Sequence, residues 1–153
     1  MNLTALVIDD SRVMRNMVMQ ALQKARVAEF TFLEAQDGAD GLAKFDPKTV
    51  DICFVDWNMP NMTGVEFVKK ARSTGGAFEV PMVMVTSERA VSKIEEALNA
   101  AGADAYICKP FTPEDMQVKL SKILAKLETK KQPTAAAGGA NGGSGGFFSG
   151  LFN

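Results

Sequence analysis

Five short apolar runs alternate with amphipathic stretches along most of the chain. Continuous apolar runs of about four to eight residues are typical of strands buried on both faces of a parallel sheet. Between the runs, apolar residues recur at spacings of three and four, which predicts helices with one buried face. The predicted strands are 3–8, 30–33, 51–55, 81–85 and 105–108, and the predicted helices are 11–24, 39–45, 64–72, 91–101 and a last helix from 112 onwards.

Capping residues mark several of the predicted helix ends. Ser11 suits the N-cap of the first helix, and Thr112 followed by Pro113 suits the start of the last helix. Gly102 is placed to end the fourth helix in a left-handed conformation. The predicted buried face of the first helix consists of Val13, Met14, Met17, Val18, Ala21 and Leu22. The predicted buried face of the last helix consists of Met116, Leu120, Ile123 and Leu127.

The alternation of strands and helices predicts the fold class. Strands and helices in this order form right-handed crossovers and a parallel sheet with helices on both faces. We therefore predict an α/β, doubly wound, flavodoxin-like sheet of five strands in the order 2-1-3-4-5, with five helices. Cys53 and Cys108 fall in the third and fifth strands. We expect both to be buried core residues without a disulfide, because another strand separates theirs.

The composition narrows the classes of function. The chain has 153 residues, 46% of them hydrophobic, and a net charge of -1. This balance is typical of a soluble globular protein and argues against a nucleic-acid binder, which normally carries a basic face. An apolar run of membrane-spanning length, about 20 residues, and a basic segment typical of a signal peptide are both missing, so we expect a cytoplasmic protein. The absence of histidine excludes histidine-based metal sites and catalysis.

Charged residues follow three of the predicted strands at the point where each strand ends. Asp9 and Asp10 follow the first strand, Asp56 follows the third, and Lys109 follows the fifth. In open parallel sheets the functional groups gather at the carboxyl ends of the strands. We therefore expect these side chains to meet at one edge of the sheet, where Thr86, at the end of the fourth strand, adds a hydroxyl group.

Three neighbouring carboxylates repel one another unless cations are present. Lys109 can pair with one carboxylate, and the others can hold Mg²⁺, which favours oxygen ligands and retains several waters. Beside these cations, Asp56 is a candidate nucleophile for phosphoryl transfer. Each group alone has a structural explanation, such as helix capping by Thr86 and Ser87. Their combination at four strand ends favours a functional site.

From residue 2 to about 127 the chain resembles the receiver domains of bacterial two-component response regulators, and most of all the CheY-like single-domain chemotaxis regulators. The resemblance rests on the acidic pair Asp9-Asp10, on the position of Thr86 and on two longer motifs. These motifs are Asp56-Trp57-Asn58-Met59-Pro60-Asn61-Met62-Thr63-Gly64 and Gly102-Ala103-Asp104-Ala105-Tyr106-Ile107-Cys108-Lys109-Pro110-Phe111. Thr63 departs from the family pattern, since an acid is common there, and we expect no loss of activity from it.

The resemblance implies how the acidic residues act. Asp56 would accept a phosphoryl group from a phosphohistidine on a CheA-like histidine kinase. The cofactor would be Mg²⁺, bound directly by Asp10, by Asp56 and by the backbone carbonyl of Asn58, with Asp9 acting through water. The chain would thus be a phosphoacceptor switch and not an enzyme, with at most intrinsic autophosphatase activity.

The resemblance also implies the residues of the switch. Lys109 would pair with the phosphoryl group, and its peptide bond to Pro110 would be cis. Thr86, followed by the small Ser87, would move toward the phosphate, and Tyr106 would swing inward into the space that this vacates. The movement would repack the face formed by helix four, strand five and helix five, where partners of the family bind.

The expected output is control of chemotaxis or of the flagellar motor. The implied partners are a flagellar switch protein or a phosphatase, and Asn58 and Glu88 would flank the phosphate and tune its loss. The alternative is a phosphorelay intermediate or a phosphate sink. Affinity of the phosphorylated form for a flagellar switch peptide, or transfer of phosphate to a histidine protein, would distinguish the two.

Two other classes of protein match less well. A haloacid-dehalogenase-like phosphatase needs a second Asp two residues after the nucleophile, followed by Gly-Thr, and neither Asp9 nor Asp56 is followed in that way. A flavodoxin needs a Ser/Thr/Gly loop after the first strand to hold a phosphate. Here that loop carries Asp9 and Asp10, which would repel the phosphate.

The composition changes after Leu127. We predict a receiver domain over residues 1–129, a flexible Ala/Gly-rich linker over 130–146 and an apolar docking peptide over 147–153. The peptide carries Phe147, Phe148, Leu151 and Phe152, which share one face of a short helix that forms on binding. We expect it to dock on the face formed by helix four, strand five and helix five, in its own chain or in a second copy. A tether to another protein is the alternative.

Overall fold

The computed structural model describes residues 1–131, which form one five-stranded sheet with helices on both faces. The strands are β1 (Asn2–Ile8), β2 (Glu29–Ala35), β3 (Ile52–Val55), β4 (Met82–Thr86) and β5 (Ala105–Cys108). The helices are α1 (Arg12–Ala25), α2 (Gly38–Lys44), α3 (Gly64–Arg72), α4 (Val91–Glu95) and α5 (Pro113–Lys131). A 3₁₀ turn (Ala77–Glu79) precedes β4, and α4 continues as a π-helical segment (Glu96–Ala101).

The sheet has the predicted topology. Its strands lie in the order β2-β1-β3-β4-β5, and every neighbouring pair is parallel, which confirms the predicted fold class. In the register of the sheet, Ile8 lies beside Val55, and Val55 lies beside Met84. The carboxyl ends of β1 and β3 are therefore level, β4 runs two residues further to Thr86, and the residues that follow β1 and β3 emerge side by side.

Apolar side chains pack on both faces of the sheet. On one face β1 contributes Leu6 and Ile8, and α3 contributes Phe67 to the core that also holds α2 and the π-helical segment. On the opposite face, α1 and α5 pack against the alternate residues of the strands. The β3 and β4 strands are buried along their whole length. This double burial explains their continuous apolar sequences.

The predicted helix caps are present. The Ser11 hydroxyl accepts a hydrogen bond from the backbone N–H of Met14 at 3.2 Å. Thr112 and Asp115 cap the start of α5 reciprocally, each side chain accepting from the other's backbone N–H. Gly102 has a φ of 90°, the left-handed conformation predicted for the end of the fourth helix.

The predicted buried faces of α1 and α5 need correction. Val13 and Met17 are 67% and 45% exposed. The buried residues of α1 are Val18, Ala21, Leu22 and Ala25. At 3.6 residues per turn, Val13 and Met17 lie about a quarter turn or more from the centre of this stripe. On α5, Ile123 is only partly buried, and Leu124 takes its place in the core.

Three smaller expectations also differ from the structure. The β2 strand is longer than predicted, because it pairs with the whole of β1 from Asn2 to Ile8. The fourth helix is α-helical only to Glu95 and continues as a π-helical segment. Cys53 is fully buried, but Cys108 is only partly buried because it lies at the end of β5; both are free thiols.

None of the helices within residues 1–131 is long and apolar enough to cross a membrane. The predicted linker falls almost entirely outside the described residues, and the predicted docking peptide, with Phe147, Phe148, Leu151 and Phe152, falls wholly outside them. The predicted boundary at 129 lies within α5, which extends to Lys131.

Candidate functional site at the carboxyl edge of the sheet

Backbone hydrogen bonds continue past the strand ends and fix the candidate residues. The N–H of Asp9 donates to the carbonyl of Ala35 at 3.1 Å, and the N–H of Asp56 donates to the carbonyl of Ile8 at 2.9 Å. The N–H of Lys109 donates to the carbonyl of Thr86 at 2.8 Å. Each functional residue is thus held by a neighbouring strand, and rigid strands position side chains better than free loops do.

The three predicted carboxylates converge. Asp9, Asp10 and Asp56 each place a carboxylate oxygen within 4.8 Å of the other two. Asp9 and Asp56 are buried, and Asp10 is exposed. The cluster is therefore open to solvent on the side of Asp10 and closed by the sheet on the other side.

Lys109 supplies the positive charge of the cluster. Its Nζ donates to Oδ2 of Asp9 at 2.9 Å and lies 3.3 Å from Oδ1 of Asp56. The Lys109 side chain is mostly buried, so these contacts are poorly screened by solvent. The peptide bond between Lys109 and Pro110 is cis, as the family resemblance implied.

Asp56 lies at the centre of the cluster, with 7% of its surface exposed. Burial raises the pKa of its carboxyl above the usual value, and the neighbouring charge of Asp9 raises the pKa further. Lys109 opposes this shift by its charge and its hydrogen bond. One ammonium group faces three carboxylates, so full ionisation leaves the edge about two negative charges in excess.

This donor set suits a divalent cation. Carboxylate oxygens are the ligands that Mg²⁺ prefers, and Mg²⁺ takes one or two of them while it keeps waters. An exposed carboxylate, that of Asp10, stands next to the buried carboxylates of Asp56 and Asp9. A divalent ion would also balance the negative excess, so the residues fit the cofactor that the sequence predicts.

Two contacts that the sequence did not reveal hold Asp9 in place. Its Oδ1 accepts the backbone N–H of Ser11 at 2.9 Å, and its carbonyl oxygen accepts from the Arg15 guanidinium at 2.7 Å. Arg15 also pairs with Glu34 at 2.9 Å. The loop after β1 is therefore held by contacts with α1 and β2, in addition to the contact of Asp9 with Lys109. An Arg one turn into a helix carries no signal that would have identified this role.

The loop that follows Asp56 turns back over it, and Gly64 makes this possible. A Cβ atom at Gly64 would lie only 2.0 Å from the carbonyl oxygen of Asp56. The N–H of Gly64 donates to the carbonyl of Trp57 at 2.9 Å, which closes the loop. Thr63 and Glu66 form a capping box at the start of α3. Thr63 thus stabilises the helix that begins at this close approach.

The predicted switch residues lie in or next to β4 and β5, where two of them contact the backbone of Glu88. Thr86 is fully buried at the end of β4, and its hydroxyl accepts the N–H of Glu88 at 3.3 Å. Ser87, the next residue, is exposed. The Tyr106 hydroxyl donates to the carbonyl of Glu88 at 2.7 Å, and only 7% of Tyr106 is exposed. Burial raises the pKa of Tyr106 to about 12, so the phenol remains a donor at neutral pH.

Two further contacts join the loops around Asp56. The side-chain amide of Asn58 donates to a carboxylate oxygen of Glu88 at 3.0 Å, which brings together the two residues predicted to flank the phosphate. The Lys93 ammonium lies 5.0 Å from the centre of the Trp57 ring, within range of a cation–π contact. Nothing in the sequence signals the second contact, because no pattern links a helical Lys to a Trp more than thirty residues away.

Comparison with known families identifies the class of protein that this site defines. The model of the response regulator receiver domain matches residues 5–121. The chain therefore belongs to the response regulator receiver domain family. The match covers β2 to β5, the second half of β1 and the first half of α5, and it contains each of the carboxylates and Lys109.

Within this family the chain is related to the CheY chemotaxis proteins. It is 38% identical over 120 residues to the chemotaxis protein CheY1 of Helicobacter pylori, which covers 78% of this chain and 94% of that protein. It is 38% identical over 122 residues to the chemotaxis protein CheY homolog of Campylobacter jejuni, covering 78% of this chain and 90% of that protein.

Solved structures agree with this relationship. The chemotaxis protein CheY4 of Vibrio cholerae is 36% identical and has a TM-score of 0.67, with 83% of this chain and 99% of that chain covered. A CheY-like response regulator receiver domain protein from Methanospirillum hungatei is 28% identical with a TM-score of 0.67, covering 85% of this chain and 99% of that chain.

Proposed function

We propose that this protein is a phosphorylation-dependent switch in which Asp56 accepts a phosphoryl group. One observation carries the proposal: the buried carboxylate of Asp56 lies 3.3 Å from the Lys109 ammonium, next to two further carboxylates. Phosphoryl transfer needs a positioned nucleophile and positive charge around the phosphoryl oxygens. This edge offers the nucleophile, one fixed cation and ligands for another.

The transfer itself is a displacement at phosphorus. A carboxylate oxygen of Asp56 forms a bond to phosphorus while the bond from phosphorus to the imidazole nitrogen of a phosphohistidine breaks. The products are an aspartyl phosphate and a histidine that takes up a proton from solvent. The Lys109 ammonium would pair with a phosphoryl oxygen of the product, because its Nζ already contacts the Asp56 oxygen and can extend to the phosphoryl group.

The proposed cofactor is Mg²⁺. Asp10, Asp56 and the backbone carbonyl of Asn58 would hold it, with Asp9 contributing through water. When bound, the ion supplies positive charge that offsets the charge developing on the phosphoryl oxygens. Asp9 is already engaged with Lys109 and Ser11, which fits an indirect role better than a direct one.

The proposed switch is a redistribution between conformations of Thr86 and Tyr106. The Tyr106 ring is already inward and bonded to Glu88 in this structure. We therefore propose that phosphorylation favours this inward position over an outward one, and does not create it. The Thr86 hydroxyl, which now accepts from Glu88, would instead donate to the phosphate. The face formed by α4, β5 and α5 would change as a result.

The pair Asn58–Glu88 is proposed to govern how long the phosphate survives. Its hydrogen bond of 3.0 Å joins the two loops on either side of the acceptor. These two side chains would restrict the approach of water to phosphorus from this side. The chain would act as a switch with slow self-hydrolysis and not as a turnover enzyme.

The proposed setting is chemotaxis or flagellar motor control. The support is the similarity to proteins named for chemotaxis in Helicobacter pylori and Campylobacter jejuni. A CheA-like histidine kinase would donate the phosphoryl group, and a flagellar switch protein or a phosphatase would receive the phosphorylated form. We propose a cytoplasmic location for the same reason.

The direct test is intact-mass spectrometry after incubation with acetyl phosphate and Mg²⁺. We expect the wild-type chain to gain one phosphoryl group and Asp56→Asn to gain none, because the amide keeps the shape but is not a nucleophile. A matched control is Asp46→Asn, which changes an exposed aspartate after α2, and which we expect to be labelled as fast as the wild type. Equal labelling of Asp56→Asn would overturn the proposal.

A second measurement separates the proposed output from a phosphorelay role. Beryllofluoride, a stable phosphoryl mimic, is added to the full chain, and binding of a flagellar switch peptide is measured by calorimetry. We expect affinity to rise on activation. Rapid transfer of the phosphoryl group to a histidine phosphotransfer protein, with no gain in peptide affinity, would instead favour a relay.

A further inference from the structure

A groove of about 470 Å³ lies at the amino edge of the sheet, opposite the acidic site. One wall is the turn before β4, with Phe78 and Pro81, and the other wall is the last part of α5, with Ile123 and Leu127. Phe78 is 81% exposed. A phenylalanine side chain left in water forgoes the stabilisation that burial gives, and within residues 1–131 this side chain is left uncovered.

Three lysines line the α5 side of the groove. Lys122, Lys126 and Lys130 are spaced four residues apart and therefore form one row along the helix. Lysine stems cover apolar surface while their ammonium groups remain in water. The ammonium groups can also lie over the faces of bound aromatic rings. The groove therefore suits an uncharged segment that is rich in phenylalanine.

The described chain ends at this groove. α5 runs to Lys131, and Lys130, one residue earlier, lines the groove and lies 3.8 Å from Glu79 on the opposite wall. Other exposed apolar residues are farther from this end. Val118, for example, precedes Lys131 by thirteen residues, or about 20 Å of helix. Phe78, an exposed aromatic residue of the described chain, is next to Glu79 and so lies close to the end of α5.

We propose that residues 147–152 of the same chain dock in this groove and cover Phe78. The segment 132–153 contains no ionisable side chain, and its four large apolar residues are Phe147, Phe148, Leu151 and Phe152. These residues match the apolar part of the groove lining, which includes Phe78, Ile123 and Leu127, and their aromatic rings suit the lysine row. The site differs from the face of α4, β5 and α5 expected from sequence, and it does not rest on phosphorylation of Asp56.

The length of the intervening chain is sufficient. A Gly/Ala-rich stretch such as 133–146 has an r.m.s. reach of about 20 Å. The middle of the groove, near Lys126, lies about 8 Å back along α5 from Lys131. A tether of this length gives an effective concentration of order 1 mM. Docking within one chain therefore needs only weak intrinsic affinity, and a second copy competes only at comparable protein concentrations.

The test compares amide NMR spectra of two full-length chains, the wild type and a variant with Phe147, Phe148, Leu151 and Phe152 all changed to serine. We expect shift differences to cluster at Phe78, Glu79, Ile123 and Lys126. Phe78→Ser should remove most of these differences. The matched control is Val13→Ser, which changes a similarly exposed residue, 67% exposed, on α1, and which should leave them unchanged.

Three outcomes would overturn the proposal. Differences that cluster near Val91 and Tyr106 would place the segment on the face of α4, β5 and α5. Differences that appear only as the protein concentration rises would assign the groove to a second copy. Spectra that agree throughout residues 1–131 would show that the segment has no site on this domain and serves as a tether to another protein.

Discussion

The two edges of the sheet each hold a cluster of ionised side chains, one with excess negative charge and the other with its charges paired. At the carboxyl edge, three carboxylates share the single ammonium group of Lys109. At the amino edge, the guanidinium of Arg72 pairs with the carboxylate of Asp104 at 2.8 Å. It also donates to three backbone carbonyls at 2.7 to 3.2 Å, those of Ala77, Val80 and Gly102.

The cluster at the amino edge is complete without any ligand. The same carboxylate oxygen of Asp104 that pairs with Arg72 also accepts the N–H of Met82 at 2.8 Å, at the start of β4. The guanidinium thereby joins the ends of α3, the π-helical segment and the turn before β4. A saturated cluster of this kind stabilises a fold, whereas the negative excess around Asp56 opposes folding until a cation balances it.

The largest expected effect comes from breaking the balanced cluster. Arg72→Ala should lower the free energy of unfolding by about 2–4 kcal/mol, because it leaves several partly buried acceptors without a donor. Chemical denaturation at neutral pH measures this loss. Arg72→Lys retains the charge but loses the planar fork, so it should lose an intermediate amount. Stability of Arg72→Ala within about 0.5 kcal/mol of the wild type, as for an ordinary surface change, would contradict this interpretation.

The next effect is stabilisation by Mg²⁺, which should be specific to the carboxyl edge. An ion present at ten times its dissociation constant stabilises the folded state by about 1.4 kcal/mol. We expect Mg²⁺ to raise the melting temperature of the wild type and EDTA to reverse the rise. Asp10→Ala should abolish the response, and Asp46→Asn should retain it. A response in Asp10→Ala equal to that of the wild type would place the ion elsewhere.

A smaller effect is expected from removing one charge at each edge without Mg²⁺. Asp56→Asn should raise stability at neutral pH, because it removes a buried charge beside Asp9 whose ionisation opposes folding. Asp104→Asn is the matched change at the opposite edge and should lower stability. A loss of stability in both variants would contradict this expectation. It would show that the charges at the carboxyl edge are also balanced.

The difference in stability between Asp56→Asn and the wild type should change with pH in one direction. The pKa of Asp56 is raised in the folded chain above its usual value of 3.8, so its ionisation opposes folding. Below pH 3.8 the carboxyl group is protonated in both states and contributes no such cost. As pH rises through the folded-state pKa the wild type loses stability relative to Asp56→Asn. The advantage of the variant should therefore grow from acid to neutral pH and not shrink.

Much of the carboxyl edge could be predicted because its signals are local. An apolar run followed by a charged residue marks each strand end, and the strand order brings Asp9, Asp56 and Lys109 together. The order itself is one of the common orders of doubly wound parallel sheets, which the alternation of strands and helices predicts. The prediction was wrong where side-chain direction mattered: the spacing of Val13 and Met17 fits a buried face, but the sheet lies against another side of α1.

The amino edge could not be predicted because its contacts are distant and involve the backbone. Most of the acceptors of Arg72 are carbonyl groups in loops, which any residue supplies, so no residue type signals them. The close approach of Gly64 to Asp56 and the π-helical segment after α4 likewise depend on the assembled structure. The inward position of Tyr106 depends on a carbonyl group of Glu88, which sequence analysis placed at the site only for its side chain.

The most direct test of the central claim is to locate the phosphoryl group on the chain. After treatment with acetyl phosphate and Mg²⁺, borohydride reduces an aspartyl phosphate to homoserine, and peptide mass spectrometry then identifies the altered position. We predict homoserine at position 56 and unchanged aspartate at positions 9, 10 and 104. Homoserine at any of those three positions, with Asp56 intact, would contradict the assignment of Asp56 as the phosphoacceptor.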